Sequence, residues 1–259
     1  MTNLYEILHY LILNQINFYD RHTFRRICKN TGKLRITDFF DIDNKYLIKL
    51  SDAILLNYPH AIKLNASYNN KISHINHMTN LKELNASFSC GIDDHGICDL
   101  NLEKLDVKYN SKICHLNHMT NLKELNASGN YGIDDNSIKN INLEKLIADN
   151  SPQITNINHT TDLKVLDASE KCGINDNCIK KLNIKVLRAG NNPKISNVNH
   201  MTNLKELYAY RNCGIDNNGI NMINLEILNA NDNEKISNAN HMTKLKELHA
   251  ANNCGIDDR

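Results

Sequence analysis

The chain has 259 residues, with 30 Lys+Arg against 29 Asp+Glu and eight Cys. A net charge of +1 argues against nucleic acid as partner, which needs a basic stripe. The apolar start, Leu4 to Leu13, is short and interrupted by Glu6 and His9, so neither a signal peptide nor a membrane span is expected.

The cysteines contain no C-x-x-C pair, which argues against structural zinc, and unpaired thiols fit a reducing compartment. The expectation is a cytoplasmic, non-secreted protein that binds neither membrane nor cofactor.

Residues 1–60 do not repeat and are expected to form an N-terminal helical cap. Leu4-Tyr5-Glu6-Ile7-Leu8-His9-Tyr10-Leu11 has helical spacing. Asp20 can cap a second helix carrying Phe24, Ile27 and Cys28 on one face. Leu34-Arg35-Ile36 suggests an irregular first strand, and Asn44 can cap a third helix with Leu47, Leu50 and Ile54 together, stopped by Pro59. Glu6-Ile7-Leu8, Tyr10-Leu11 and Asp20 followed by Cys28-Lys29 resemble the two helices of an F-box, although the Leu-Pro opening and the Trp near Lys33 are missing. That resemblance implies a Skp-type adaptor bound through residues 1–30.

From residue 61 the chain is periodic. Asn80-Leu81-Lys82-Glu83-Leu84-Asn85-Ala86-Ser87 returns at Leu122, Leu163, Leu204 and Leu245, and a related text is interleaved from Leu102. Ten repeats begin at 61, 81, 102, 122, 143, 163, 184, 204, 225 and 245. Within each repeat, position 1 is its first residue. Positions 4 and 6 are apolar between polar 3, 5 and 7, which predicts a short strand with one buried face. Position 12 is Ile throughout, from Ile72 to Ile256, and position 9 is often Asn, as at Asn69, Asn130, Asn192 and Asn233. Such an Asn can satisfy backbone groups where the chain leaves the strand.

The second half of the repeat alternates. One form, as in Ile195-Ser196-Asn197-Val198-Asn199-His200-Met201, has apolar positions 12, 15 and 18 and predicts a 3₁₀-like outer segment. The other, as in Gly91-Ile92-Asp93-Asp94-His95-Gly96-Ile97, carries an acid or amide that can cap a short outer helix. No repeat can bury its apolar face alone, so stacking is required.

The pattern L-x-x-L-x-L-x-x-N over residues 61–259 resembles the leucine-rich repeat family, with internalin-like and cysteine-containing-like repeats alternating. That resemblance implies an α/β solenoid: a curved parallel sheet on the concave side and short 3₁₀ or α segments on the convex side. The 44 Asn and the strict 41-residue double repeat resemble the leucine-rich repeat proteins of giant DNA viruses of amoebae. The chain ends within its tenth repeat, which leads to an expectation of either end-to-end self-association through Leu245, Leu248 and Ala250 or a frayed last rung.

The series His77, His118, His159, His200 and His241 is read as a structural ladder, because neighbours lie two rungs, roughly 10 Å, apart and a shared zinc needs nitrogens near 2 Å. Recurrent Lys–Glu pairs are read as solvated faces. Polar groups spread at regular intervals do not converge on one point as catalysis demands, so no enzyme is expected. The informative residues are departures from the small and amide rows of the concave face. They are Tyr68, Phe88 and Tyr109 in early repeats and Arg188, Tyr208, Tyr210, Arg211 and His249 in later ones. Tyr and Arg anchor interfaces, so the expected function is a non-enzymatic scaffold binding a protein or peptide on that face. The alternative is an F-box-type substrate receptor of a ubiquitin ligase.

Overall fold

The structure is a computed structural model that describes residues 38–40 and 47–256. The expected helices at Leu4–Leu11 and around Phe24, the F-box-like segment and the strand at Leu34–Ile36 lie outside those residues. The chain divides into two compact units, Met1–Leu102 and Glu103–Arg259.

In the N-terminal unit three strands run parallel: β1 (Asp38–Phe39), β2 (Lys63–Asn65) and β3 (Glu83–Asn85). Phe39 lies opposite Leu64, and Leu64 opposite Leu84. Sheet pairing therefore begins before the first repeat, with Phe39 taking the place that Leu holds in later rungs. The single helix expected over Leu47, Leu50 and Ile54 is not formed. Leu50 N–H closes a turn on Leu47 C=O at 3.0 Å, Ser51 is extended, and a separate helical turn runs Asp52–Leu55. That break rotates the buried face by one residue, so Leu47, Leu50 and Leu55 are buried while Ile54 is only half-buried.

In the C-terminal unit eight strands are parallel and in sequential order. They are β4 (Lys104–Asp106), β5 (Glu124–Asn126), β6 (Lys145–Ile147), β7 (Val165–Asp167), β8 (Val186–Arg188), β9 (Glu206–Tyr208), β10 (Ile227–Asn229) and β11 (Glu247–His249). Position 4 faces position 4 at each step given, for example Leu166↔Leu187 and Leu187↔Leu207. Each unit is a repeat solenoid of stacked coils, as the periodicity predicts. The Leu at position 4, the Ala at 6 and the Ile at 12 close over one another, as at Leu187, Ala189 and Ile195, all fully buried.

The capped outer segments form as expected. Asp93 accepts from Gly96 N–H at the 3₁₀ turn Asp94–Gly96. Asp134, Asn175 and Asp216 cap the helical turns Asp135–Ile138, Asp176–Ile179 and Asn217–Ile220. The other form does not make a continuous 3₁₀ helix. It makes two successive turns, Met78 N–H to Ile75 C=O and Leu81 N–H to Met78 C=O, both 2.9 Å. The intervening Asn76 and His77 bond the neighbouring coils instead: Asn76 Nδ2 donates to His95 C=O at 2.7 Å, and His77 Nε2 meets Leu55 C=O at 3.0 Å.

Three polar ladders tie coil to coil. Buried Asn192 donates to Ala168 C=O at 2.7 Å and Ile174 C=O at 3.1 Å, and accepts from Lys194 N–H at 3.0 Å. Asn233 repeats this on Ala209 and Ile215. His159, His200 and His241 place Nε2 2.9–3.0 Å from the carbonyls of Ile138, Ile179 and Ile220, so the histidine series is an inter-coil ladder. Asp176 accepts from Ser196 N–H and Oγ and from Asn197 N–H, and Asp52 makes the same three contacts with Ser73 and His74.

At the far edge of the C-terminal unit all three residues of β11 are exposed. Leu248 is 44% exposed, and Leu245 and Ala250 are half-buried. Among the described residues no helix is long and apolar enough to cross a membrane.

Candidate functional site

The outward rows of the strands are regular, and their regularity defines what is exceptional. At position 3, opposite charges face each other across the sheet: Lys63–Glu83 at 3.1 Å in the N-terminal unit, and Lys104–Glu124 at 2.8 Å with Lys145–Glu124 at 3.9 Å in the C-terminal unit. Directly opposed pairs of this kind stabilise a sheet modestly. At position 5 an Asn or Asp turns back on its own backbone. Asn65 and Asn85 accept from the N–H and Oγ of Ser67 and Ser87, and Asp106, Asn126, Asp167 and Asn229 accept from the N–H two residues on. These side chains close the strand ends.

Position 8 is left-handed in every rung, with φ between 54° and 60° from Tyr68 to Asn252, Gly129 included. Asn, Asp and Gly suit that conformation, while larger side chains are disfavoured by roughly 1–2 kcal/mol. Asn150, Asn191, Asp232 and Asn252 fit the rule; Tyr68, Phe88, Tyr109, Glu170 and Arg211 break it. Bulky residues held in such a conformation are a pointer towards function. The recurrent Asn and Gly at position 8 was the sequence signal for this geometry, and the reading from periodicity alone missed it.

The expected contact residues fall in different places. In the N-terminal unit Tyr68 and Phe88 stack at 4.3 Å with an 11° interplanar angle. In the C-terminal unit Tyr109 is half-exposed, has Lys108 Nζ 5.5 Å from its ring centroid, and lies against Gly129, whose missing Cβ would sit 2.1 Å from the ring. Further along the same unit Arg188, Tyr208, Tyr210 and Arg211 come together. The Arg188 guanidinium lies 4.8 Å from the Tyr208 ring centroid and that of Arg211 lies 6.0 Å from that of Tyr210. Tyr208 Oη donates to Glu206 at 3.3 Å. The Tyr210 ring rests flat on Gly190, where a Cβ would meet Cζ at 2.2 Å. His249 does not join them: it is exposed on β11, with Nε2 3.9 Å from the Glu247 carboxylate.

The regular rows fail in the same stretch. The charge ladder of position 3 gives way to Val165 directly opposite Val186, and Ile147 replaces the amide at position 5, opposite Asp167. All three are half-buried on a face that in the earlier rungs carries Lys, Glu, Asn and Asp, and Ile227 on β10 is a further apolar residue in the same row. The sequence reading missed them because an isolated Val in a strand resembles core; its position 3 was the available signal.

Electrostatics change here too. Burial pushes the Asp167 carboxyl above its ordinary range, and the neighbouring Asp149 adds to that against bonds from Ser169 and the charge of Arg188. Burial likewise raises the Tyr210 phenol, with Asp167 and Glu170 contributing, and the Tyr208 phenol, with Glu206 contributing. The patch thus combines apolar surface, two tyrosines stacked with arginines, and desolvated acid. No protein-family model matches the chain, and no curated protein matches it.

Proposed function

We propose that the chain is a non-enzymatic scaffold of the leucine-rich repeat kind that binds a protein or peptide on the strand face of its C-terminal unit. The carrying observation is that four consecutive rungs gather departures from the ion-pair row, Val165 and Val186, and from the amide row, Ile147, Arg188 and Tyr208, together with Glu170 and Arg211 in the left-handed row. Here they assemble the composition of an interface centre: apolar Val165 and Val186 beside Tyr208, Tyr210 and two arginines. The occupant that fits presents an apolar side chain to the valine pair, ringed by polar groups. The regular spacing of the remaining polar residues supports a binding surface over a catalytic centre.

The test is a peptide selection on the purified full chain, followed by affinity measurement on variants. Replacing Tyr208 and Arg211 by Ala is expected to weaken a selected peptide by a few kcal/mol if they are hot spots, with the thermal midpoint nearly unchanged. Lys104→Ala, on the regular rows, serves as control and is expected to leave affinity alone. Selected peptides that bind wild type and the double variant equally would remove this assignment.

A further inference from the structure

We propose that the partner's segment carries a carboxylate side chain beside its apolar one, and that Lys185, flanked by Lys164 and Lys205, receives it. This inference rests on the binding reading above and names the chemistry of what enters.

Position 2, immediately before the residues of the ion-pair row, forms a charged row of its own. Lys and Glu alternate along it in two sets: Lys123, Glu144 and Lys164, then Lys205, Glu226 and Lys246. In each set the acid is held by its neighbours. Glu144 pairs with Lys164, and Lys123 also acts on it. Glu226 is bonded from both sides, by Lys205 at 2.7 Å and Lys246 at 2.6 Å, and those bonds hold its carboxyl down at about 2. The rung between the two sets breaks the alternation, with Lys185 where other rungs have Glu103, Glu144 and Glu226. Lys185 N–H donates to Lys164 C=O at 2.8 Å, and Lys205 N–H donates to Lys185 C=O at 2.9 Å. Three lysines therefore emerge from adjacent rungs, roughly 4.8 Å apart, where like charges destabilise a sheet.

The surroundings do not neutralise Lys185. It is exposed and pairs with no carboxylate among the described residues, while Lys164 and Lys205 are each drawn to the glutamate on their far side. Its rung, 184–203, contains no acidic residue, unlike every other rung of the C-terminal unit. The other cations of that rung are engaged: Arg188 lies on the Tyr208 ring, and Lys194 Nζ donates to Cys172 C=O at 3.1 Å. Glu206, opposite Val186, accepts from the Tyr208 hydroxyl. A carboxylate from outside would restore the alternation that the chain itself abandons here.

An independent observation fixes what accompanies that carboxylate. The residues next along the chain from Lys164 and Lys185 are Val165 and Val186, directly opposite each other and half-buried. Cation and apolar surface are thus one strand step apart, roughly 3.3 Å. A segment with an acidic and an apolar side chain on neighbouring residues matches that step. A phosphate alone would satisfy the lysines and leave the valines uncovered.

The probe is the blocked dipeptide acetyl-leucyl-glutamate N-methylamide, titrated into the isotope-labelled full chain and read by amide chemical shifts. Saturable shifts are expected at Lys164, Val165, Lys185 and Val186. The glutamine analogue of the probe is expected to bind about tenfold more weakly, the scale of one lost bond to a charged group. Lys185→Glu installs the residue that three other rungs carry at this position, so the fold is retained, and it is expected to weaken the dipeptide by about tenfold or more. Lys185→Gln removes the charge alone and is expected to weaken it in the same direction. Silence at these amides, equal affinity for the glutamine analogue, an undiminished response in both variants, or inorganic phosphate binding there as tightly as the dipeptide would each overturn the assignment. If the dipeptide is silent while selected peptides still depend on Tyr208 and Arg211, the carboxylate site fails and the docking face stands. If the dipeptide binds through Lys185 while selected peptides ignore Tyr208 and Arg211, the carboxylate site stands and the docking assignment falls.

Discussion

Replacing Gly190 by Ala tests whether the Tyr210 ring is held on the strand face. The added Cβ would lie 2.2 Å from Cζ, 2.3 Å from Cε1 and 2.4 Å from Cε2 of that ring. Ordinary carbon contacts begin near 3.5 Å, so the ring must lift by about 1 Å or more. Gly190 is not in the left-handed region, so its backbone accepts Ala, and that change alone would stabilise by about 0.4–1 kcal/mol through the unfolded chain. Against it stand the lost burial of a half-buried ring, about 1 kcal/mol from the 1.5–3 kcal/mol of a fully buried one, and about 1 kcal/mol of packing strain. The net expectation is a loss near 1 kcal/mol, or a fall of about 3 °C in Tm for a chain of this size. In a Tyr210→Ala background the three nearest atoms to that Cβ are removed, and Gly190→Ala is expected to raise Tm by about 2 °C. The measurement is four thermal melts closing a double-mutant cycle. A Gly190→Ala effect of the same sign and size in both backgrounds would refute the stacked arrangement. Gly129 is the poorer choice for such a test, because its φ of +58° adds backbone strain to the collision with Tyr109.

Asn192→Ala strands the carbonyls of Ala168 and Ile174 in the interior and removes the acceptor of the part-buried Lys194 N–H; at about 1–3 kcal/mol for each buried unsatisfied group, urea melts should show a loss of about 3 kcal/mol or more, far beyond that of an exposed Asn221→Ala. Thiol reactivity should divide by burial. Desolvation pushes Cys172 up to about 12 and Cys213 up to about 11, so iodoacetamide followed by peptide mass analysis should label exposed Cys98 in the native chain and leave those two unmodified. Acid sensitivity should trace in part to Asp52: burial pushes its carboxyl up, but bonds from Ser73 and His74 outweigh this and hold it below 3.8. With the folded value below the unfolded one, the stabilisation is present above about pH 4–5 and lost as pH falls through the folded pKa. Asp52→Asn, which places the group that Asn217 uses for the same contacts with Ser237 and Asn238, should keep the midpoint near neutrality and flatten the melt-versus-pH curve between pH 5 and 3. An unchanged acid limb would show that these bonds carry no charge dependence.

Much of this protein was legible as text because its contacts are local in sequence and repeated. A residue such as Ile195 meets its own counterparts one repeat away, so each position experiences the same surroundings ten times and the periodicity exposes them. The strand at positions 3–5, the buried Leu, Ala and Ile, the Asn ladder and the capped outer turns all follow from that redundancy. The histidine series is equally transparent: its spacing rules out a shared ligand and leaves a bond to the neighbouring coil.

What repetition could not determine lies in the residues that break it. Whether Tyr210 points to solvent or lies on Gly190, and whether Arg188 meets Asp167 or the Tyr208 ring, depend on side-chain directions that differ from rung to rung. The left-handed backbone at position 8 sets those directions, and burial then alters the ionisation of Asp167. The break at Ser51 and the pairing of Phe39 with Leu64 are likewise tertiary outcomes, because the non-repeating segment has no second copy against which its register can be read. The sequence by itself determined the stacking; three-dimensional packing alone decided where the stacked surface stops being uniform.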